Sequence, residues 1–164
     1  MLPDHLRPDL KILFCGTAAG NNSATAGRYY ANSGNKFWAM LAETGITPGL
    51  LSPDQDHLMP TLGFGLTDLA KGVSGMDRHI PKTAIVPARL AEIIETWRPR
   101  CVAFTGLGAA KKALLSRRVV EGRLPSDPRW PELVLWALQS TSGANGHFTR
   151  TSWQSLADWA REQP

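Results

Sequence analysis

Apolar residues fall into short runs that alternate with longer amphipathic stretches along the chain. Three of these runs predict buried strands: LKILFCG (10–16), RPRCVAFTG (98–106) and ELVLWAL (132–138). A fourth segment, TLGFGLTDLAKG (61–72), fits either a short strand or an irregular turn. The pattern therefore indicates a sheet at the centre of the protein.

The stretches between these runs carry apolar residues at helical spacing. They predict helices over the ranges 35–45, 86–99, 107–118 and 151–163. Pro87 suits the first turn of the second helix, and Gly45 ends the first. Thr151 or Ser152 is expected to cap the last helix. A proline-rich loop over 47–60 has room for one short helix.

Strands that alternate with helices predict an α/β fold with a mainly parallel sheet. We expect a single domain over residues 1–164. In such sheets, ligands bind beyond the carboxyl ends of the strands. Four segments should therefore meet at that edge: the loops after Cys15, Phe104 and Leu138, and the segment around Asp68.

The composition is that of a globular protein, with 43% hydrophobic and 20% charged residues. No apolar run reaches the ~18 residues that a membrane helix needs. The first residues, MLPDHLRPDLK, lack the apolar stretch of a signal peptide. We therefore expect a cytoplasmic protein.

Lysine and arginine outnumber the acidic residues by 18 to 14, which gives a formal net charge of +4. This excess suits a polyanionic partner such as nucleic acid. Basic residues concentrate in KKALLSRRVVEGR (111–123) and around Arg78, His79 and Lys82. Solvated helix faces explain both clusters equally well, so both interpretations stay open.

Cys15 and Cys101 lie in apolar runs, which predicts buried thiols rather than a disulfide. The four histidines are scattered and no Cys-x-x-Cys motif is present. The sequence therefore does not predict a zinc site, and we expect no metal.

The segment CGTAAGNNSATAGRYYANSGNKFW (15–38) combines small, polar and aromatic residues directly after the first strand. It lacks the lysine of a P-loop and does not open a helix directly, as dinucleotide-binding loops do. A plain strand-to-loop turn remains an open interpretation. However, Gly16 and Gly20 let backbone amides approach a ligand closely, and Tyr30 offers a flat aromatic face. These features suit a nucleobase, whereas Tyr29 is expected to pack the loop.

This segment resembles the first motif of the mismatch-specific uracil/thymine-DNA glycosylases, a branch of the uracil-DNA glycosylase superfamily. The segments GFGLTDLAKGVSGMD (63–77) and LQSTSGANG (138–146) fall where this family carries its middle segment and its second motif. The resemblance runs from Lys11 to Trp159. It implies a three-layer α/β/α glycosylase fold and hydrolysis of the N-glycosidic bond of a base flipped out of DNA.

Carried over residue by residue, the resemblance implies a base pocket and a loop that enters the duplex. The implied base-binding residues are Gly16, Thr17, Ala18, Gly20, Ser23 and Tyr30. The implied DNA-contacting loop residues are Ser142, Gly143, Ala144 and Asn145. Tyr30 would stack on the base. The resemblance implies DNA as partner and no cofactor, because this hydrolysis uses only water, and we expect a monomer.

Two departures from the family pattern bear on activity. Where the family's first motif has an asparagine that positions the attacking water, this chain has Ala18. The second motif has Gln139 and Thr141 in place of prolines and Ala144 in place of a bulky wedge, which predicts a less rigid loop. We therefore expect either a different catalytic group or a weak or inactive enzyme.

Glycosidic cleavage builds positive charge on the sugar, so the site needs a polar or anionic group that stabilises this charge and orients water. Asp68 is the first candidate, with capping of the following turn as its alternative. Asn21 is the second, with hydrogen bonding inside the loop as its alternative. His147 would touch the leaving base or a phosphate, and Lys71 would bind the DNA backbone, unless both are simply solvated.

The residues and the resemblance together favour a monofunctional DNA glycosylase that acts on uracil or a related deaminated or mismatched base in base excision repair. One alternative is a DNA-binding module that keeps the fold without the chemistry, which Ala18 favours. A weaker alternative is a hydrolase or binding protein for free nucleosides or nucleotides.

Overall fold

The structure, a computed structural model, describes residues 2–164. Its strands are β1 (Ile12–Gly16), β2 (Phe64–Asp68), β3 (Cys101–Phe104), β4 (Gly122–Leu124) and β5 (Val134–Ala137). They form one sheet in the order β2-β1-β3-β5-β4. All neighbours pair in parallel except β4, which runs antiparallel to β5. The predicted sheet is therefore confirmed, and the ambiguous segment 61–72 contains a strand.

The α-helices of residues 2–164 are α1 (Asn21–Ala26), α2 (Phe37–Glu43), α3 (Pro87–Trp97), α4 (Leu107–Leu114) and α5 (Thr151–Arg161). Shorter 3-10 helices span Pro53–Leu62, Asp77–His79 and Lys82–Ala84. The first of these is the helix expected in the proline-rich loop. Pro87 begins α3 as predicted, and Gly45 follows α2 in a left-handed conformation. Among these helices, none has both the length and the apolarity needed to cross a membrane.

The sheet is the middle of three layers. Alternate residues of a strand point to opposite faces, so Ile12 and Phe14 pack in one core cluster with α2 and α5. Leu13 and Cys15 pack in a second cluster with α3 and α4. The predicted three-layer α/β/α arrangement is confirmed. Cys15 and Cys101 are fully buried free thiols, also as predicted.

Three details differ from the predictions. Helix α1 occupies a segment that was expected to be irregular, because its small polar residues show no apolar stripe; the left-handed Gly27 ends it. Helix α4 stops four residues early, since Leu115 is left-handed with φ 53°, and the basic segment then turns back to form β4. Helix α5 has no side-chain cap, and the Ser152 hydroxyl instead accepts a hydrogen bond from the Gln139 amide.

A buried carboxylate ties the segment after α1 to the rest of the protein. Asp56 is fully buried and accepts hydrogen bonds from Arg28 Nη1 at 3.1 Å and from the Tyr29 amide at 2.9 Å. The His5 Nε2 atom lies 3.5 Å from the same carboxylate. Because Tyr29 precedes Tyr30, these contacts fix the backbone that carries the predicted stacking residue.

We predict that Asp56→Ala lowers the free energy of unfolding by about 2–4 kcal/mol, because the buried Tyr29 amide and the Arg28 guanidinium lose their acceptor. Chemical denaturation at neutral pH measures the loss. Asp54→Ala is the matched control, since that side chain is 90% exposed and lies 4.0 Å from Arg28. Its effect should stay below ~1 kcal/mol. Equal losses in the two variants would contradict this account.

Candidate active site

The segments that follow β1, β2, β3 and β5 meet at the carboxyl edge of the sheet. Together they line a cleft of about 780 Å³. The wall combines residues from Gly16 to Ser23 with Tyr30, Asp68, the start of α4 and the loop after β5. The sequence prediction that these segments converge is therefore confirmed.

The last residues of β1 and β2 form the centre of this edge. Gly16 and Asp68 are direct partners in the parallel ladder. A Cβ atom added at Gly16 would lie only 2.7 Å from Asp68 Oδ1 and 3.3 Å from Thr105 Oγ1. Any larger residue would therefore displace the carboxylate. The absence of a side chain at Gly16 lets Asp68 sit against the backbone of β1.

Desolvation dominates the ionisation of Asp68, which is only 4% exposed. No group in residues 2–164 donates a hydrogen bond to its carboxylate, and the Lys71 ammonium lies 4.0 Å from Oδ2. Burial therefore raises the pKa of Asp68 to about 6, with Lys71 and Arg89 opposing the shift. The alternative that Asp68 caps the following turn is wrong, since no amide there donates to it. Asp68 is ionised at neutral pH and free to orient water or to face a cation.

Tyr30 presents a fixed aromatic ring to the cleft. It stacks on Phe37 with ring centroids 3.8 Å apart and 17° between planes, and its hydroxyl hydrogen-bonds Thr105 Oγ1 at 2.9 Å. Its backbone is left-handed, with φ 51°, a conformation that costs a non-glycine residue about 1–3 kcal/mol. In contrast, Tyr29 is buried and donates its hydroxyl to the Pro3 carbonyl at 2.9 Å, so it packs the loop as expected.

The backbone after β1 supplies polar groups to the cleft wall. The amides of Thr17 and Ala18 make no hydrogen bond within the described residues 2–164. The Thr17 hydroxyl donates to Asp77 Oδ2 at 3.1 Å. Asp77 lies 4.0 Å from the Lys112 ammonium. Sequence reasoning missed Asp77, because nothing in its local pattern separates it from an ordinary surface acid.

The remaining first-motif residues lie where α1 begins. Gly20 precedes the helix and has open space where a Cβ would sit. Asn21 is exposed on the cleft rim, and its side-chain oxygen accepts a hydrogen bond from the Ser74 hydroxyl at 3.0 Å. Ser23 is buried, and its hydroxyl accepts the Ala31 amide at 2.9 Å. Ser23 thus braces the loop that carries Tyr30, while the roles of these residues toward a base stay predictions.

The loop after β5 contributes the rest of the wall, and the predicted DNA-contacting residues Ser142, Gly143, Ala144 and Asn145 all line the cleft. The side-chain Nδ2 of Asn145 donates to Gln139 Oε1 at 3.1 Å and to the Ser140 carbonyl at 3.0 Å. A Cβ at Gly143 would lie 3.1 Å from the Gly34 carbonyl oxygen. Side-chain hydrogen bonds and close backbone packing therefore brace a loop that was expected to be less rigid without its prolines.

Two predicted DNA contacts are placed differently. The side chain of Lys71 is only 13% exposed, and its ammonium lies 3.1 Å from Asp4, where it also donates to the Tyr29 hydroxyl at 2.8 Å. Asp4 and Tyr29, which are both distant in sequence, draw Lys71 inward, so it does not face solvent as the prediction required. His147 is exposed but lies outside the cleft wall. Its role in binding DNA stays a prediction.

The comparison with known proteins agrees with this fold. The model of the uracil DNA glycosylase superfamily matches residues 3–161. The chain therefore belongs to this superfamily. Its fold is similar to the solution NMR structure of a protein from Methanosarcina acetivorans that is provisionally named a uracil DNA glycosylase. The TM-score is 0.67 at 21% sequence identity, and the match covers 98% of this chain and 96% of that one.

We predict that Asp68→Asn stabilises the protein above pH 6. Below the ordinary pKa near 3.8 the carboxyl is protonated in both the folded and the unfolded state, so its ionisation does not change the free energy of unfolding. Above about pH 6 the folded state holds an ionised group that water would solvate better, a penalty on the order of 3 kcal/mol. The variant lacks this penalty, so its advantage should appear as pH rises from 4 to 7.

Denaturation at pH 4 and pH 8 measures the difference between the two proteins. Asp54→Asn, at an exposed carboxylate, is the control and should change stability little at either pH. A loss of stability in Asp68→Asn at pH 8 would contradict the desolvated carboxylate.

Proposed function

We propose that this protein is a monofunctional DNA glycosylase that hydrolyses the N-glycosidic bond of uracil, or of a related deaminated or mismatched base, in base excision repair. One observation carries the proposal: a buried carboxylate lies beside an aromatic ring and backbone amides in a single cleft, and neither the carboxylate nor these amides find a hydrogen-bond partner within residues 2–164. Membership of the uracil DNA glycosylase superfamily supports DNA as the partner. Within the superfamily, the first motif favours the mismatch-specific uracil/thymine branch.

In this mechanism, Asp68 replaces the missing asparagine of the first motif. The methyl group of Ala18 cannot polarise water, but the carboxylate at the end of the adjacent strand can. An ionised Asp68 stabilises the positive charge that develops on the sugar as the bond to the base breaks. It then accepts a proton from the water that attacks the sugar. A folded-state pKa of about 6 keeps it ionised at neutral pH.

The base is held by stacking and by backbone donors. Tyr30 offers a ring that Phe37 and Thr105 already hold in place, so little conformational freedom is lost on binding. The amides of Thr17 and Ala18, which have no partner in the part of the chain that the structure describes, can donate to the oxygen or ring nitrogen on which negative charge grows. A base flipped into the cleft would therefore meet a flat ring and main-chain donors.

We predict that the protein creates alkali-labile abasic sites in oligonucleotides that contain uracil or another deaminated base. Asp68→Asn should lower the single-turnover rate of base release by ~10²-fold or more, the usual scale for a positioned acid-base group. Asp54→Asn should keep the parental rate. A parental rate in Asp68→Asn would remove Asp68 from the mechanism.

The same assay separates the alternatives. Salt-dependent DNA binding with no base release from any substrate would favour a DNA-binding module that has kept the fold and lost the chemistry. Ala18 is the observation that favours this second candidate. Base release from free nucleosides rather than DNA would favour a nucleoside hydrolase.

We predict that Tyr30→Ala lowers the rate of base release by roughly 10- to 100-fold, because base stacking contributes about 1–3 kcal/mol. Tyr30→Phe is the matched control: it keeps the ring and loses only the hydrogen bond to Thr105. Most of the parental rate should remain in that variant. Similar rates in the alanine variant and the parent would argue against a stacking platform.

A further inference from the structure

Residues 2–5 form an N-terminal segment that packs against the active site. His5 pairs antiparallel with Leu66 of β2 through two backbone hydrogen bonds of 3.0 Å. Leu2 is 3% exposed and lies with Asp68 on the walls of both the cleft and a smaller cavity of about 110 Å³. The N-terminal segment therefore forms part of the wall of the candidate active site.

Asp4 is the charged residue of this segment, and it contacts both cations that flank Asp68. One carboxylate oxygen accepts a hydrogen bond from the Thr67 hydroxyl at 2.7 Å and lies 3.1 Å from the Lys71 ammonium. The other pairs with Arg89 Nη2. Arg89 Nη1 meanwhile donates to the backbone carbonyl of Asp68 at 2.6 Å. Lys71 and Arg89 therefore each lie between Asp4 and Asp68.

The position of Lys71 decides what Asp68 can do. Its ammonium lies 3.1 Å from Asp4 but 4.0 Å from Asp68. It also donates to the Tyr29 hydroxyl at 2.8 Å, which in turn donates to the Pro3 carbonyl at 2.9 Å. Lys71 is therefore held on the side of the N-terminal segment, and within residues 2–164 no cation lies closer to the Asp68 carboxylate than this 4.0 Å.

Asp4 is well suited to hold this lysine, because it remains ionised. Burial opposes its ionisation, but the Thr67 hydroxyl, Lys71 and Arg89 outweigh burial and keep the pKa of Asp4 below its usual value. Among the described residues, the ionisable groups that surround Asp68 are Lys71 on its own segment, Asp4, Arg89 of α3, Asp77, Tyr29, Tyr30 and Cys15. Among them, Asp4 is the anion that competes directly with Asp68 for Lys71.

We propose that Asp4 is a positioning residue for the reaction: it holds Lys71 away from Asp68, so that the Asp68 carboxylate stays unpaired and available to water and to the sugar. This inference rests on the proposed function. When Asp4 loses its charge, Asp68 becomes the nearest anion to Lys71. An ion pair between them would stabilise the ionised carboxylate and at the same time shield it from the reacting groups.

The rate of base release as a function of pH tests this proposal. In the parent protein, the single-turnover rate should rise with pH as Asp68 ionises near pH 6. In Asp4→Asn, the midpoint of this rise should move down by about one pH unit, while the plateau rate falls about 10-fold. Lys71→Gln should move the midpoint in the opposite direction. Asp54→Asn is the control and should move neither value.

A residue with a merely structural role would lower the rate at every pH without moving the midpoint. An unmoved midpoint in both Asp4→Asn and Lys71→Gln would therefore overturn the proposal, and so would shifts in the same direction.

A second measurement does not need activity. The stability gained through Asp68→Asn at pH 8 should shrink to less than half when Asp4→Asn is already present, because the released Lys71 then neutralises Asp68. Equal gains in the two backgrounds would overturn the proposal. If this coupling appears but the protein releases no base from any substrate, Asp4 does hold Lys71 away from Asp68, and the proposed function fails. If base release occurs without coupling or a midpoint shift, the function stands and the role of Asp4 fails.

Discussion

The pairing of Gly16 with Asp68 across β1 and β2 is the constraint on which the candidate active site depends. Parallel pairing brings the carboxyl ends of both strands to one edge, and the missing side chain at Gly16 leaves room for a carboxylate against the backbone. Because no group in residues 2–164 donates a hydrogen bond to it, the buried carboxylate keeps a raised pKa. A side chain at position 16 would fill this space and displace the carboxylate. A carboxylate exposed to water would then lose its raised pKa.

The rest of the site is arranged around this pair. Tyr30 is held from below by Phe37 and from the side by Thr105, while Asp56 fixes the backbone just before it. The N-terminal segment supplies Asp4, whose contacts with Lys71 and Arg89 set the charges around Asp68. An ionised carboxylate that water solvates poorly lowers the stability of the folded protein, while the proposed reaction requires this ionised group.

The sequence was sufficient to predict the sheet, the edge at which its segments meet, and the candidate group Asp68. Short apolar runs and the rule for parallel sheets carry that information locally. The orientation of Lys71 could not be predicted, because Asp4 and Tyr29, which draw it inward, are distant in sequence. Helix α1 and strand β4 were missed for a related reason: a short helix without an apolar stripe and a three-residue edge strand have little local signal.

The most direct test of the central claim is the titration of the Asp68 carboxyl carbon by NMR in the intact protein, with Asp68→Asn used to assign its signal. We predict a midpoint at about pH 6, because the carboxylate is buried against Gly16 and receives no hydrogen bond from the described part of the chain. A midpoint near the ordinary value of about 4 would mean that water reaches the group freely, and it would contradict the account of this site.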